Sequence, residues 1–371
     1  MKLIYFDENI PHFIKDDGTP FGGAAVDLYY QLLGLDSLGL ETGLVTWIGA
    51  KDYISQGVRE APFPVFEAYN RSTNLPIFHT LFHKLPRLLL IMRKINPSYV
   101  TAKGAGALNG ILLLISKAHK FKFIYQMAND IESDERIYRK LPFYTKPVFR
   151  FLLSRSDFIR CQNQYQKDNI LKRYPKKKVF LVRNATVIPI LSDRQPFEKR
   201  NHVLWVGTFR PQKKLSKFYK LCRDLPDVKF KIAGSYSGVT DQPTRKALKD
   251  LKKLKNVEML GFVRHQDVGK LYKQAYCLVC TSDHEGFPNT FLEAWLAGTP
   301  VVTTATSNPD GLIGQEDLGF VVDNDTELKD SVKRIFQDKA VFTNLSENCE
   351  KFVRKHHDHK EIARSFISYL L

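Results

Sequence analysis

Glu285 and Glu293 are separated by seven residues in the string Ser282-Asp283-His284-Glu285-Gly286-Phe287-Pro288-Asn289-Thr290-Phe291-Leu292-Glu293-Ala294-Trp295-Leu296-Ala297-Gly298-Thr299-Pro300. It reads as strand end, tight loop, helix and next strand. Gly286 permits a sharp turn or the close approach of a ligand. Pro288 suits the first helical position, and Asn289 or Thr290 can cap. Gly298 suits the residue just past the helix end. Such a helix start presents backbone N–H groups and a positive dipole end, a ready anion site. Glu293 lies among Phe291, Leu292, Ala294, Trp295, Leu296 and Ala297, so its carboxylate must find donors. Sugar and ribose hydroxyls would serve. Taken singly, Glu293 could merely complement the dipole and Glu285 could be solvated. A second stretch, Leu204-Trp205-Val206-Gly207-Thr208-Phe209-Arg210-Pro211-Gln212-Lys213-Lys214, joins a glycine turn to nearby cations. Cations so placed can neutralise a leaving diphosphate. A third is Gly22-Gly23 at a helix start, where backbone N–H groups can approach an anion.

The elements that must position these residues alternate between short β-rich runs and helical patterns, which predicts an α/β chain with largely parallel sheets. Strands are expected at Lys2–Phe6, Leu44–Ile48, Tyr99–Ala102, Phe121–Met127 and Phe158–Cys161, with helices over Ala24–Gly39 and Tyr165–Arg173. Between Asn184 and Asn201 the pattern breaks, and Pro189, Ser192, Asp193, Arg194, Gln195 and Pro196 make a linker. A second series follows. Its strands are His202–Val206, Val228–Ala233, Val257–Leu260, Tyr276–Cys280 and Pro300–Thr304. Its helices are Leu215–Arg223, Thr244–Leu254, Asp267–Lys273 and Thr290–Ala297. Two such domains leave a cleft between the carboxyl ends of their sheets, where ligands of open parallel sheets bind.

The two-glutamate string resembles the motif of the retaining nucleotide-sugar glycosyltransferases of family 4, E-G-F-P-x-x-x-x-E-A-x-x-x-G-x-P-V-V. Glu285, Gly286, Phe287, Pro288, Glu293, Ala294, Gly298, Pro300, Val301 and Val302 match it. The resemblance covers the second domain and, more weakly, the first. It implies a GT-B fold: two Rossmann-like domains facing a central cleft, 1–188 on the acceptor side and 189–354 holding the donor. A final helix, 355–371, would cross back onto the first domain. The resemblance places Glu285 on the donor sugar hydroxyls, the backbone of Phe287, Pro288, Asn289 and Thr290 on the diphosphate, and Glu293 on the ribose. Where the family has V-G-R-x-x-x-x-K, this chain has Val206, Gly207 and Lys213, with Thr208 at the usual arginine and Arg210 two residues later. Val263 would border the nucleobase, Gly22 and Gly23 the donor phosphates, and Asp130 the acceptor. The implied reaction moves a sugar from a nucleotide diphosphate to an acceptor hydroxyl with retention. No metal and no cofactor is expected, because Lys213, Arg210 and the helix start take up the charge. The acceptor is expected to be a glycan or a lipid-linked intermediate of cell-surface polysaccharide or glycolipid synthesis.

Composition narrows the alternatives. The chain has 371 residues with 43% hydrophobic and 26% charged, which excludes wholesale disorder. Its net charge of +17 favours anionic partners. Acids in Met1–Glu8 argue against an export signal, and no apolar run nears the roughly 18 residues of a membrane span. Five cysteines fit a reducing, cytoplasmic setting. Cations mixed with apolar residues over Leu81–Lys94 and Arg136–Leu152 suggest attachment to an anionic membrane surface, at its inner face. Cys277 and Cys280 lie in an apolar strand without a second pair, which disfavours zinc. His356, His357, Asp358 and His359 read as the start of an exposed terminal helix, and Asp323-Asn324-Asp325 as a strand-to-helix turn. The rival readings are a GT-B nucleotide-sugar epimerase, a degenerate transferase scaffold and a basic nucleic-acid binder. The last lacks a recognisable reader motif, so nucleic acid is not an expected partner.

Overall fold

The computed structural model describes residues 1–19, 21–71, 80–192, 194–236 and 240–371. Pro20 of the glycine loop, Asp193 of the linker and the side chain of Leu81 lie outside the described residues. The chain divides into two compact units, Met1–Ala185 with His359–Leu371, and Thr186–Asp358.

The first unit is built on a parallel sheet of seven strands in the order β3-β2-β1-β4-β5-β6-β7. These are β1 (Lys2–Phe6), β2 (Glu41–Trp47), β3 (Val65–Tyr69), β4 (Tyr99–Lys103), β5 (Lys122–Gln126), β6 (Phe158–Cys161) and β7 (Lys178–Leu181). Both faces are covered, so strand residues of either parity are apolar. Ile4, Phe6, Val45, Val100 and Phe123 meet the helices Leu85–Ile95, Ala107–His119 and Lys146–Arg155. Leu3, Tyr5, Leu44 and Ile124 meet the helix Gly23–Ser37 and the terminal helix His359–Ser368. That terminal helix belongs to this unit. A Cβ at Gly34 would collide with the carbonyl of His359, so only glycine lets the two helices approach. Phe366 packs its ring 5.4 Å from Phe180, and the Tyr99 hydroxyl donates to the Leu370 carbonyl at 3.0 Å.

A buried polar network ties the start of helix Gly23–Ser37 to the sheet. Asp27 accepts from Lys103, from Arg160 Nη1 at 2.6 Å and from Gln31 Nε2 at 2.8 Å. Burial opposes its charge, but Arg160 and Lys103 outweigh that and hold its pKa down to about 2.

The second unit is a parallel sheet of six strands in the order β10-β9-β8-β11-β12-β13. These are β8 (His202–Thr208), β9 (Phe230–Ser235), β10 (Val257–Gly261), β11 (Ala275–Cys280), β12 (Val301–Thr304) and β13 (Gly319–Val322). Val203, Trp205, Cys277 and Val279 face one helical layer, which includes Leu215–Asp224 and Asp325–Gln337. Leu204, Leu278 and Val301 face the other, with His265–Gln274, Asn289–Leu296 and Lys339–His356. Cys277 is buried in β11. Asp323-Asn324-Asp325 is the turn from β13 into a helix: the Asn324 side chain accepts from Glu327 N at 2.9 Å, and Glu327 accepts from Asp323 N at 2.9 Å.

The histidine run does open the terminal helix, at His359, but it is not the expected exposed start throughout. His356 ends the helix Lys339–His356, and His357 is fully buried with its ring 5.0 Å from Phe287 and 5.4 Å from Phe352. Those aromatic rings take it into the core.

Candidate active site

The strand order of the second unit creates a switch point. From β8 the chain winds outward to β9 and β10, then returns to β11 on the other side of β8. The loops leaving β8 and β11 therefore diverge from neighbouring strand ends, which is where open parallel sheets hold ligands. Lys213 lies on the first loop and Glu285 on the second. Lys213 Nζ donates to Glu285 Oε1 at 2.7 Å. The backbones are joined as well. The Thr281 hydroxyl donates to the Lys213 carbonyl at 2.7 Å, Asp283 N donates to the Gln212 carbonyl at 2.8 Å, and Lys214 pairs with Asp283 at 3.0 Å. A Cβ at Gly207 would press on the Trp205 ring at 3.3 Å and would sit in ordinary contact with Lys213 Cε at 3.5 Å. The two side chains are 17% and 13% exposed, so the pair is shielded yet open to a ligand. Burial opposes the charge on Lys213, but Glu285 more than offsets it and holds the lysine pKa above its ordinary value. Arg210 is exposed at the entry to the short turn Pro211–Lys213, and its guanidinium works against the lysine charge.

The helix Asn289–Leu296 begins one residue away from the expected position. Pro288 occupies the cap site in an extended conformation, Asn289 is the first helical residue, and no side-chain cap bond forms. Phe287 and Pro288 are buried, whereas Glu285, Asn289, Thr290 and Glu293 are half-buried. The Phe287 ring lies 6.5 Å from Trp295, so its side chain belongs to the core and only its backbone can serve a ligand. The helix ends at Leu296, and Gly298 just beyond its cap adopts φ +64°.

One turn into this helix, Glu293 is held by two groups. His265 Nε2 lies 2.9 Å from Oε1, and the Tyr272 hydroxyl donates to Oε2 at 2.9 Å. Both come from the helix His265–Gln274. Val263, just before that helix, is half-buried against the same core. Beneath the site, the buried Arg200 guanidinium donates to the carbonyls of Gln195, Tyr272, Ala275, Ala297 and Gly298 and to Thr299 Oγ1. It thus satisfies the carboxyl ends of both helices. Burial pushes its pKa down to about 10.

The remaining candidates lie in the first unit. Gly22 is the extended cap residue of helix Gly23–Ser37, and a Cβ there would meet nothing within 4 Å. Asp130 opens a short turn after β5, and its Oδ1 accepts from Asn163 Nδ2 at 2.8 Å and Gln166 Nε2 at 2.9 Å. The structure therefore brings Lys213 and Glu285 into direct contact, with Arg210 electrostatically coupled to the lysine, and leaves Gly22, Gly23 and Asp130 in a different unit. Sequence reasoning missed Tyr272, His265 and Arg200. For the first two a signal existed: they stand seven residues apart, two turns along one helix face. Among the described residues, no group of three or more His, Cys, Asp or Glu is placed to hold a metal ion.

Residues 189–356 match the family described as glycosyl transferases group 1. The chain is 23% identical over 352 residues to an alpha-monoglucosyldiacylglycerol synthase from Acholeplasma laidlawii, covering 85% of each protein. Two solved structures resemble it over nearly their whole length. A sucrose-phosphate synthase from Thermosynechococcus elongatus superposes with TM-score 0.77 at 15% identity, covering 100% of this chain and 98% of that one. A TarM mutant from S. aureus, in complex with fondaparinux, alpha-GlcNAc-glycerol and UDP, gives TM-score 0.78 at 10% identity, covering 99% of each. The fold is GT-B, and the match to group 1 glycosyl transferases lies within the second unit.

Proposed function

We propose that this chain is a retaining glycosyltransferase that takes its sugar from a nucleotide diphosphate and passes it to the hydroxyl of a glycan or lipid-linked acceptor. The observation that carries the reading is the 2.7 Å contact of Lys213 with Glu285 at the switch point of a group 1 domain, beside a helix start without a side-chain cap. Glu285 accepts from hydroxyls of the donor sugar. Lys213, Arg210, Gly207 and the backbone of Phe287–Thr290 receive the diphosphate. As the sugar C1–O bond breaks, its electron pair passes to the diphosphate, and these groups stabilise the growing charge. The acceptor oxygen bonds to C1 from the same face, and its proton leaves with the departing phosphate oxygen. Cationic side chains supply the charge that a metal would otherwise supply, so activity should survive EDTA. A melting screen against UDP, GDP, ADP and CDP and their sugars tests the donor class. Proton NMR of the product tests retention: the new glycosidic bond should keep the donor's anomeric configuration. An epimerised donor without transfer would overturn the reading.

A surface of the first unit supports work at an anionic membrane. Residues 80–129 hold eight Lys or Arg, of which only Lys103 is buried against Asp27, and no Asp or Glu. The helices Leu85–Ile95, Ala107–His119 and Lys146–Arg155 cover one side of its sheet. Around them Phe82, Leu90, Phe143 and Tyr144 are 76%, 66%, 82% and 64% exposed. Apolar side chains among cations suit the headgroup region of an acidic bilayer. No helix of the described residues is long and apolar enough to cross a membrane. Sedimentation with phosphatidylglycerol vesicles but not phosphatidylcholine vesicles is expected, and the joint change Phe143→Ser and Tyr144→Ser should abolish it. Equal sedimentation with both lipids would contradict an electrostatic attachment.

A further inference from the structure

Glu293 sits in a helix whose neighbouring positions, Phe291, Leu292, Ala294 and Trp295, are buried and apolar, yet its own side chain keeps 19% exposure. An ionised carboxylate there has about four acceptor positions to fill. The chain's own donors fill one on each oxygen: His265 Nε2 on Oε1 and the Tyr272 hydroxyl on Oε2, both at 2.9 Å. Tyr272 is 1% exposed, so its ring cannot swing away without opening the core between two helices. Its phenol is held far above the ordinary value, first by burial and then by the Glu293 charge, and so remains a donor. His265 is the first residue of the same helix, and Tyr272 follows two turns later. Together they fix both oxygens of a side chain that is otherwise free to rotate.

We propose that Tyr272 and His265 are positioning residues that lock the Glu293 carboxylate so that its remaining acceptor positions meet the vicinal hydroxyls of the donor's ribose. This rests on the donor reading above. A carboxylate held on both oxygens before the ligand arrives loses little rotational freedom on binding. Its two unfilled acceptor positions match the two neighbouring hydroxyls of a ribose, one for each oxygen. Without the phenol, Glu293 would turn towards solvent or towards His265 and could meet only one hydroxyl well. The arrangement therefore selects ribonucleotides, and its contribution falls on ground-state binding of the nucleoside rather than on the bond-breaking step.

The test is calorimetric titration of the full chain with UDP, GDP, ADP and CDP, and with the 2′,3′-dideoxy form of whichever binds. The wild type should bind the ribonucleotide at least ~10-fold more tightly than the dideoxy form, as expected when paired polar groups lose their partners. In Tyr272→Phe the ribonucleotide Kd should rise about 10-fold while the dideoxy Kd stays nearly constant, so the preference falls below about threefold. His265→Leu should behave alike. His265→Gln, which keeps a donor near the same place, should restore the preference. A purely structural role would weaken both ligands together. A wild-type preference retained in Tyr272→Phe would overturn the proposal. Failure of every nucleotide to bind the wild type would instead overturn the donor reading on which it stands.

Discussion

Replacing Lys213 by Met, Glu285 by Gln, and both together separates what the ion pair does for folding from what it does for chemistry. At 2.7 Å, opposite unit charges attract by about 6 kcal/mol at an effective dielectric near 20. Both side chains are mostly withdrawn from water, so desolvation offsets much of that gross attraction. Lys213→Met alone leaves Glu285 half-buried without its cation, at a cost of about 1–2 kcal/mol. For a unit of this size that lowers Tm by roughly 2–8 °C. The double variant removes the stranded charge and should recover part of the loss, giving a coupling of about 1 kcal/mol. Activity should behave differently. One preorganised charge at a leaving group contributes roughly 10²–10³ in kcat, so Lys213→Met should lose at least that much and the double variant should not recover it. Melting curves and initial rates on the same preparations give both cycles. A folded Lys213→Met with kcat within tenfold of wild type would refute the reasoning, as would stability losses that simply add.

Arg200→Met leaves five backbone carbonyls without their donor and should lower the melting of the second unit by about 10 °C, from a cost of about 3–5 kcal/mol; a change under 3 °C in calorimetry would contradict its role. Glu132 is buried in the first unit, and burial pushes its pKa from 4.5 up to about 7 against the Tyr125 and Ala128 hydrogen bonds. A raised carboxyl pKa contributes stability that is complete below pH 4.5 and lost as pH rises through 7, so Glu132→Gln should remove a decline of about 3 kcal/mol between pH 4.5 and 8. Urea midpoints that fall equally in both proteins across that range would show that the group does not titrate as described. Gly34→Val places a side chain against the His359 carbonyl and should loosen the terminal helix, seen as faster amide exchange over 359–371; unchanged exchange there would mean that the close approach is not needed.

The central strands of both units were readable because buried parallel strands are continuous apolar runs, as in His202–Val206 and Tyr276–Cys280. The edges were not. β3 carries Glu67, whose carboxylate accepts from the backbone of Gly49 and Lys51, and that charge breaks the apolar run. β7 is four residues long and follows a lysine run, so little distinguishes it from a loop. Glu285 and Glu293 were legible because the spacing lies within one loop and helix. Their partners were not, since Lys213 lies 72 positions before Glu285, and Tyr272 lies 21 before Glu293. Only the turn composition and the family resemblance pointed to Lys213. Arg200 read as part of a polar linker because nothing local reveals that five carbonyls converge on it. His357 read as exposed for the mirror reason: a polar neighbourhood in sequence gave no sign of the Phe287 and Phe352 rings that enclose it.

Titration of UDP, GDP, ADP and CDP into the wild-type chain and into Lys213→Met, followed by calorimetry, bears most directly on the donor site. One of these diphosphates should bind the wild type with one-to-one stoichiometry and should bind Lys213→Met at least ~10-fold more weakly. Equal affinity for both proteins, or no binding to a folded wild type, would contradict the account.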